Sequence, residues 1–252
     1  MEQKFFFFDI DNTLAVWPEG KIPNSAQYCI DELQRRGHLV SIATGRIQVD
    51  AMRFAEQARI TNVVADGGHS ITIDGNLVSM IGMNRDMCIQ YLEYLESKHI
   101  PWAVTDRNKL GRITPYKEIL EWHPDWDVFK TVVDPEFDFH SVEDFYKIYV
   151  FFKDGEEEEK DIEHMTHKLI RYGEGCVLYE PMEKALGIRN MIGHFDMKPN
   201  QVVVFGDGYN DLSMFRPEWL NIAMGNARPE LKLEADYVTT DCDKDGIYNA
   251  CK

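Results

Sequence analysis

The 252-residue sequence contains no stretch of the roughly 18 apolar residues that a membrane-crossing helix needs. It has no Cys-x-x-Cys, and its five cysteines (Cys29, Cys88, Cys176, Cys242 and Cys251) are scattered and odd in number. That pattern argues against a disulfide framework or a thiolate zinc site and suits a reducing compartment. Positive charge is scarce as well: 27 Lys and Arg face 43 Asp and Glu, for a net charge of −16. A surface so acidic repels the phosphates of nucleic acids and membranes, so neither is an expected partner. The N-terminal Met-Glu-Gln-Lys-Phe leads straight into a strand without the layout of a signal peptide, so a cytoplasmic location is expected. Any site for an anion has to be built locally, against the field of the whole chain.

What the sequence does have is Phe5-Phe6-Phe7-Phe8-Asp9-Ile10-Asp11-Asn12-Thr13-Leu14. Four aromatic residues in a row suit a strand buried on both faces of a parallel sheet. Ligands bind outside the carboxyl ends of such strands, where Asp9 and Asp11 fall. Two acids beside a core carry a desolvation cost that a cation would offset. Asp-Asn-Thr is also good helix-capping chemistry, so these residues alone leave both readings open.

The rhythm then continues as strand and helix. Asn24 to Gly37 reads as an amphipathic helix, His38 to Ala43 as a strand ending at Thr44-Gly45-Arg46, Gln48 to Ala58 as a helix, and Asn62 to Ala65 as a strand ending at Asp66-Gly67. Ile71 to Ile73 and Leu77 to Met80 form a hairpin around Asp74-Gly75. From about Met83 the pattern changes: a helix from Asn84 to Lys98, a strand from Trp102 to Thr105, a mixed segment rich in Trp, Pro and Asp, a strand from Tyr146 to Phe152, an acidic helix from Glu156 to Arg171, and a strand from Cys176 to Tyr179. In that helix the run Glu156 to Glu159 reads as a solvated N-terminus, where acids suit the dipole. After Lys184 the parallel rhythm returns with a helix from Ala185 to His194 and a strand from Gln201 to Phe205, ending at Gly206-Asp207-Gly208-Tyr209-Asn210-Asp211. A helix, the strand Asn221 to Met224, another helix and the strand Asp236 to Thr239 follow. The expected fold is α/β: a Rossmann-like parallel-sheet core made of residues 1–82 and 183–252, with an α+β domain inserted at 83–182. The insert holds 12 Lys and Arg against 22 Asp and Glu, most of the net negative charge.

Asp9 and Asp11, Thr44-Gly45, and Asp207, Asn210 and Asp211 each follow an apolar strand at once, so a parallel sheet gathers them at one edge. The acids there repel one another unless a divalent cation sits among them, and oxygen ligands without paired His or Cys favour Mg²⁺ over zinc. Asp9, the Asp11 backbone carbonyl and Asp207 would hold it, with Asp211 orienting its waters. An ionised carboxylate can attack phosphorus, and Asp9, at the strand end, is the candidate nucleophile. Asp11 would protonate the leaving alkoxide and later deprotonate water. Thr44 Oγ and the Gly45 N–H suit non-transferred phosphoryl oxygens, with Arg46 and Asn210 as further candidate substrate contacts. Lys184, entering the core helix after the insert, would neutralise Asp9 and the developing charge.

Asp9-Ile-Asp11-Asn-Thr13-Leu14, Ile42-Ala-Thr44-Gly45-Arg46, Lys184 and Gly206-Asp207-Gly-Tyr-Asn210-Asp211 resemble the four motifs of the haloacid dehalogenase-like superfamily. Ala223-Met-Gly-Asn-Ala227, Ala235-Asp-Tyr-Val-Thr239 and Asp245-Gly246 resemble its Cof-type hydrolases, which carry a type-IIB α/β cap where the insert lies here. The resemblance implies a Mg²⁺-dependent phosphatase of small phosphorylated metabolites, often sugar phosphates, working through an aspartyl-phosphate. Phosphotransferase or phosphomutase chemistry on the same site is the alternative. A phospho-accepting signalling protein or a metabolite-binding protein is the alternative of another class, disfavoured by the insert and by Lys184. Two positions depart from the family pattern: Lys184-Ala185 replaces Lys-Gly, and Asp66-Gly67 replaces Asn-Gly, which would add a negative charge if that loop borders the site. In the insert, Arg107, Lys109, Arg112 and Lys117 are the candidate anion-reading cap residues. Trp102, Trp122 and Trp126 nearby read more naturally as cap core than as a sugar platform.

Overall fold

A computed structural model describes residues 2–125, 128–153, 156, 161–162 and 169–252. The chain divides into two units, Met1–Met80 with Met182–Lys252, and Ile81–Pro181. The first unit begins with β1 (Phe5–Phe8), α1 (Asn24–Arg35), β2 (Leu39–Ala43), α2 (Gln48–Ala58), β3 (Asn62–Ala65), β4 (Ser70–Ile73) and β5 (Asn76–Met80). The second contains α3 (Arg85–Ser97), β6 (Trp102–Thr105), β7 (Gly111–Thr114), α4 (Ile119–Trp122), β8 (Lys130–Val133), β9 (Lys147–Phe151), β10 (Leu169–Gly173) and β11 (Cys176–Tyr179). The first unit resumes with α5 (Lys184–His194), β12 (Val202–Gly206), β13 (Leu220–Ala223), α6 (Pro229–Leu233), β14 (Tyr237–Val238) and α7 (Gly246–Ala250).

The core sheet has eight strands in the order β14-β13-β12-β1-β2-β3-β4-β5. Its first six strands run parallel, and the β4–β5 hairpin closes one edge antiparallel. β1 lies between β12 and β2, with Phe5 opposite both Val202 and Leu39. Phe5, Phe7 and Phe8 are fully buried, and the Phe5 and Phe7 rings stack at 4.4 Å. β1 is therefore the point where successive strands depart to opposite sides, and a crevice opens there at the carboxyl ends. The α/β class and the parallel core follow the alternation of apolar strands and amphipathic helices.

The second unit is a six-stranded sheet in the order β10-β11-β9-β6-β7-β8. Its strands alternate side chains between two faces. Trp102, Val104, Ile148 and Val150 pack with Tyr91, Leu92 and Leu95 of α3, while Ala103, Tyr149, Phe151, Cys176 and Leu178 pack with Ile119 of α4. Trp102 is core, with its indole N–H donated to Glu96 at 2.8 Å, and Trp122 is half-buried against the second cluster. Trp126 lies outside the described residues.

Two expectations for the insert need correction. Residues 157–160 and 163–168 of the expected Glu156–Arg171 helix lie outside the described residues, but its end is β-strand: Leu169–Gly173 pairs antiparallel with β11. The hairpin turns at Glu174-Gly175, where Gly175 has φ +66°. The second correction concerns Arg112, which is only 3% exposed and is no surface cation. Its Nε donates to Thr131 Oγ1 at 2.9 Å and a terminal nitrogen donates to the His123 carbonyl at 2.8 Å. The Phe151, Tyr149 and Phe129 rings stand 4.8, 5.4 and 5.6 Å from the guanidinium. Arginine suits this place because its weakly hydrated, planar head stacks on aromatic faces. Of the other three cations, Arg107 is exposed and pairs with its neighbour Asp106 at 2.5 Å, Lys109 is half-buried, and Lys117 is exposed. Replacing Arg112 with Met should destabilise the protein by about 2–3 kcal/mol. Thermal unfolding would then fall by about 4–10 °C, and a melting temperature within about 1 °C of wild type contradicts this role.

Candidate active site

The crevice at β1 is built from three distant segments. Asp9 follows β1 directly, its N–H bonded to the Phe205 carbonyl of β12 at 3.0 Å. The chain then folds back through Leu14 N–H to the Asp9 carbonyl at 3.1 Å. Asp207 follows β12, and Asp211 sits in the 3₁₀ turn Tyr209–Ser213. Lys184 is the first residue of α5.

Lys184 Nζ lies 2.6 Å from Asp9 Oδ1 and 2.6 Å from Asp211 Oδ1. All three side chains are buried. Asp211 Oδ2 accepts from the Asp207 and Gly208 backbone N–H groups, each at 2.8 Å, and so shapes the turn that carries Asp207. Asp207 Oδ1 accepts from Thr13 Oγ1 at 3.0 Å, which ties the turn after β1 to the turn after β12. Two glycines permit this closeness. A Cβ on Gly206 would lie 2.7 Å from the Asp211 carboxylate, and one on Gly68 (φ +109°) would lie 2.2 Å from the Glu183 carbonyl at the entrance to α5.

Electrostatics follow from the crowding. Burial, then Asp211, hold the Asp9 carboxyl well above the usual carboxylate range, with Lys184 pulling the other way. Burial and Asp211 likewise push Asp207 up to about 7. Burial disfavours the Lys184 ammonium, but Asp211 and Asp9 outweigh it and keep Lys184 protonated above its ordinary range. One cation thus serves two carboxylates directly and leaves Asp207 under-compensated. Oxygens of Asp9, Asp207 and Asp211 all lie within 4.8 Å of one another. A cluster of hard oxygen donors with excess negative charge fits a divalent cation.

The structure brings Asp9, Lys184, Asp207 and Asp211 together, with Thr44 and Arg46 on the neighbouring turn after β2. Thr44 is buried, and its Oγ1 accepts from the Arg46 N–H at 3.1 Å. Arg46, expected at the substrate, commits its nitrogens elsewhere: two donate to Asp11 at 2.9 and 2.7 Å, and the third to Asp50 at 2.5 Å. Its guanidinium also lies 4.6 Å from the Phe54 ring centre and 5.8 Å from that of Trp17. Asp50 was not among the candidate residues, although an acid four residues after Arg46 at a helix start is the signal that points to it. Asn210 is half-buried, and its carbonyl accepts from Ser213 Oγ at 2.7 Å. Asp66 lies buried beneath the Thr44–Arg46 loop, its N–H donated to the Arg46 carbonyl at 2.8 Å. It is 1% exposed, and its Oδ2 accepts from Gln48 N–H at 3.1 Å, at the N-terminal end of α2, where an anion is favoured. Arg107, Lys109, Arg112 and Lys117 belong to the second unit.

The raised acid sets a pH dependence. In the metal-free fold Asp207 keeps its proton up to about 7, against 3.8 for an unperturbed Asp. The folded state binds more protons across that interval, so stability is fullest at the acid end and is lost as pH rises through about 7. Without divalent cation, thermal unfolding should therefore shift to lower temperature between about pH 5 and pH 8, relative to Asp207→Asn. A saturating divalent cation should remove the difference. Parallel pH profiles for the two metal-free proteins would contradict this account.

Comparisons with known proteins bear on the family of the chain as a whole. The family described as haloacid dehalogenase-like hydrolase matches residues 6–251. The chain is 30% identical to the candidate phosphatase YkrA of Bacillus subtilis, over 100% of this chain and 98% of that one. It is 28% identical, over 98% of its length, to a candidate bifunctional phosphatase and peptidyl-prolyl cis-trans isomerase of Streptococcus pyogenes, of which it spans only 53%. Among solved structures it resembles BT4131, a sugar phosphatase of subclass IIB, with a TM-score of 0.78 and 26% identity over 98% of this chain and 97% of that one. With almost its whole length matched and an acid cluster at the switch point of a parallel sheet, the chain belongs to the haloacid dehalogenase-like hydrolases.

Proposed function

We propose that this protein is a Mg²⁺-dependent phosphatase of small phosphomonoesters, sugar phosphates among them, with Asp9 as the attacking group. The observation that carries the reading is Lys184 Nζ at 2.6 Å from both Asp9 and Asp211, with Asp207 alongside. Likeness to a subclass IIB sugar phosphatase supports the substrate class.

Lys184 engages Asp9 Oδ1, which leaves Oδ2 to attack phosphorus. The new Oδ2–P bond forms as the bond from phosphorus to the leaving alkoxide breaks, giving an aspartyl-phosphate. Asp11 gives its proton to the departing oxygen, then takes one from the water that attacks the same phosphorus. The acyl-phosphate P–O bond breaks and Asp9 is restored. Both Asp11 oxygens are engaged by Arg46 in this structure, so proton delivery begins with Asp11 turning from that guanidinium and taking up a proton from solvent. Thr44 Oγ1 and the Gly45 N–H hold the non-transferred oxygens. Mg²⁺, held by Asp9, the Asp11 carbonyl and Asp207 with Asp211 behind them, would offset phosphoryl charge and keep these carboxylates ionised. Lys184 keeps a fixed positive charge beside Asp9 throughout.

Phosphate release from a panel of phosphorylated metabolites, with Mg²⁺ or with chelator, tests the proposal. Asp9→Asn should lose activity by about 10³-fold or more, and Asp11→Asn should slow the reaction by about 10²–10⁴-fold. Full turnover in chelator, or in Asp9→Asn, would falsify the mechanism. Transfer of the phosphoryl group to an added sugar in preference to water would identify a phosphotransferase instead.

A further inference from the structure

Cys29 and Cys251 come from opposite ends of the sequence and meet where α1 packs against α7. Both line a cleft of about 220 Å³ that also exposes Arg36 and Lys252. The cleft wall is ordered by Tyr28 and Tyr248, whose rings meet edge to face at 6.0 Å, and by the Lys252 ammonium 4.4 Å from the Tyr248 ring centre. Cys29 itself is 4% exposed and Cys251 is half-buried, and this cleft offers a small reagent a route to the pair.

We propose that Cys29 and Cys251 are an oxidation site that a small hydroperoxide converts to a disulfide, with Cys29 as the attacking thiol and Cys251 as the resolving one. Three features distinguish the pair from the other cysteines. The two residues line one cleft where two helices pack together, the cleft admits a molecule of peroxide size, and the Arg36 cation stands in the same wall. The neighbouring Cys251 thiol draws the Cys29 thiol down against the opposing effect of burial, and Arg36 lowers it further. Burial instead pushes Cys88, Cys176 and Cys242 each up to about 12, where thiolate is scarce at neutral pH.

The chemistry balances with the peroxide as sole oxidant. The Cys29 thiolate attacks one peroxide oxygen, the S–O bond forms, the O–O bond breaks, and the departing oxygen leaves as water or alcohol after taking a proton. Cys251 sulfur then attacks the Cys29 sulfenic acid, the S–S bond forms, the S–O bond breaks, and a second water leaves with the Cys251 proton. Two thiols give up two electrons and two protons, and a dithiol reductant reverses the step. The product would tether the C-terminal helix to α1.

The test uses the full chain, treated with hydrogen peroxide and quenched by alkylation. Thiol titration under denaturing conditions should fall from five to three, and peptide mapping should find one Cys29–Cys251 link, removed by dithiothreitol. The pair should react about tenfold or more faster than the remaining cysteines. The oxidised protein should melt about 5 °C or more above the reduced one, because the link closes almost the whole chain. Cys29→Ser and Cys251→Ser should each abolish the link and the shift. Thiol loss spread across all five cysteines, oxidation of either residue to the sulfinic acid without a link, or five intact thiols after treatment that fully oxidises a free cysteine peptide would each overturn the proposal.

Discussion

One ammonium group between two buried carboxylates holds the first unit together at its chemical end. Asp9, Lys184 and Asp211 are nearly inaccessible, and buried charges are tolerated only with close partners and full hydrogen bonding. Lys184 satisfies Asp9 and Asp211 at once, and two backbone N–H groups satisfy the remaining Asp211 oxygen. The demand spreads outward. The helix that begins at Lys184 must approach the turn after β3 so closely that only Gly68 fits, and the turn after β12 must wrap the Asp211 carboxylate so closely that only Gly206 fits. The triad dictates backbone as well as charge.

A second ionic hub organises the turns beside it. Arg46 joins Asp11, on the turn after β1, to Asp50, on α2, and its flat face rests near Phe54 and Trp17. The turn that follows β3 supports the same loop from below: Asp66 N–H bonds to the Arg46 carbonyl at 2.8 Å and Gly67 N–H to the Thr44 carbonyl at 3.0 Å. Thr44 and Gly45 are thus presented by a loop braced on both sides. The Asn226 side-chain amide reaches the Asn12 carbonyl at 2.9 Å while its oxygen accepts from Cys242 N–H at 2.8 Å, so the turn after β13 steadies the turn after β1.

Much of this was legible in the residues because the parallel sheet leaves strong marks. A buried strand reads as an unbroken apolar run, and a polar residue at its end has few places to go except the crevice. That reasoning reaches Asp9, Thr44 and Asp207 directly, and Lys184 through the charge it must balance. It fails where partners depend on distance in space. Nothing local to Arg46 tells that it pairs with Asp11 across 35 residues. Charge alone places Arg112 on a surface, whereas its guanidinium is stacked against three rings that come from β9 and the segment before β8. The strand Leu169–Gly173 was hidden by an acidic helical pattern running into it, and β7 and β8 are four-residue strands in a segment dominated by turn formers.

The position of β1 at the middle of its sheet has a consequence for how the protein is made. Phe5 to Phe8 pair on one side with Leu39 to Ile42, which are synthesised soon afterwards, and on the other with Val202 to Phe205. While the ribosome completes the intervening chain, the most aromatic strand of the protein has one hydrogen-bonding edge open. Pairings of such long sequence separation form late, because a large loop must close before they are rewarded. A nascent chain arrested after its first unit segment would present that edge to other molecules, the condition under which unpaired strands associate wrongly. The arrangement that puts Asp9 at a switch point therefore also leaves one edge of β1 unpaired until the C-terminal segment has been made.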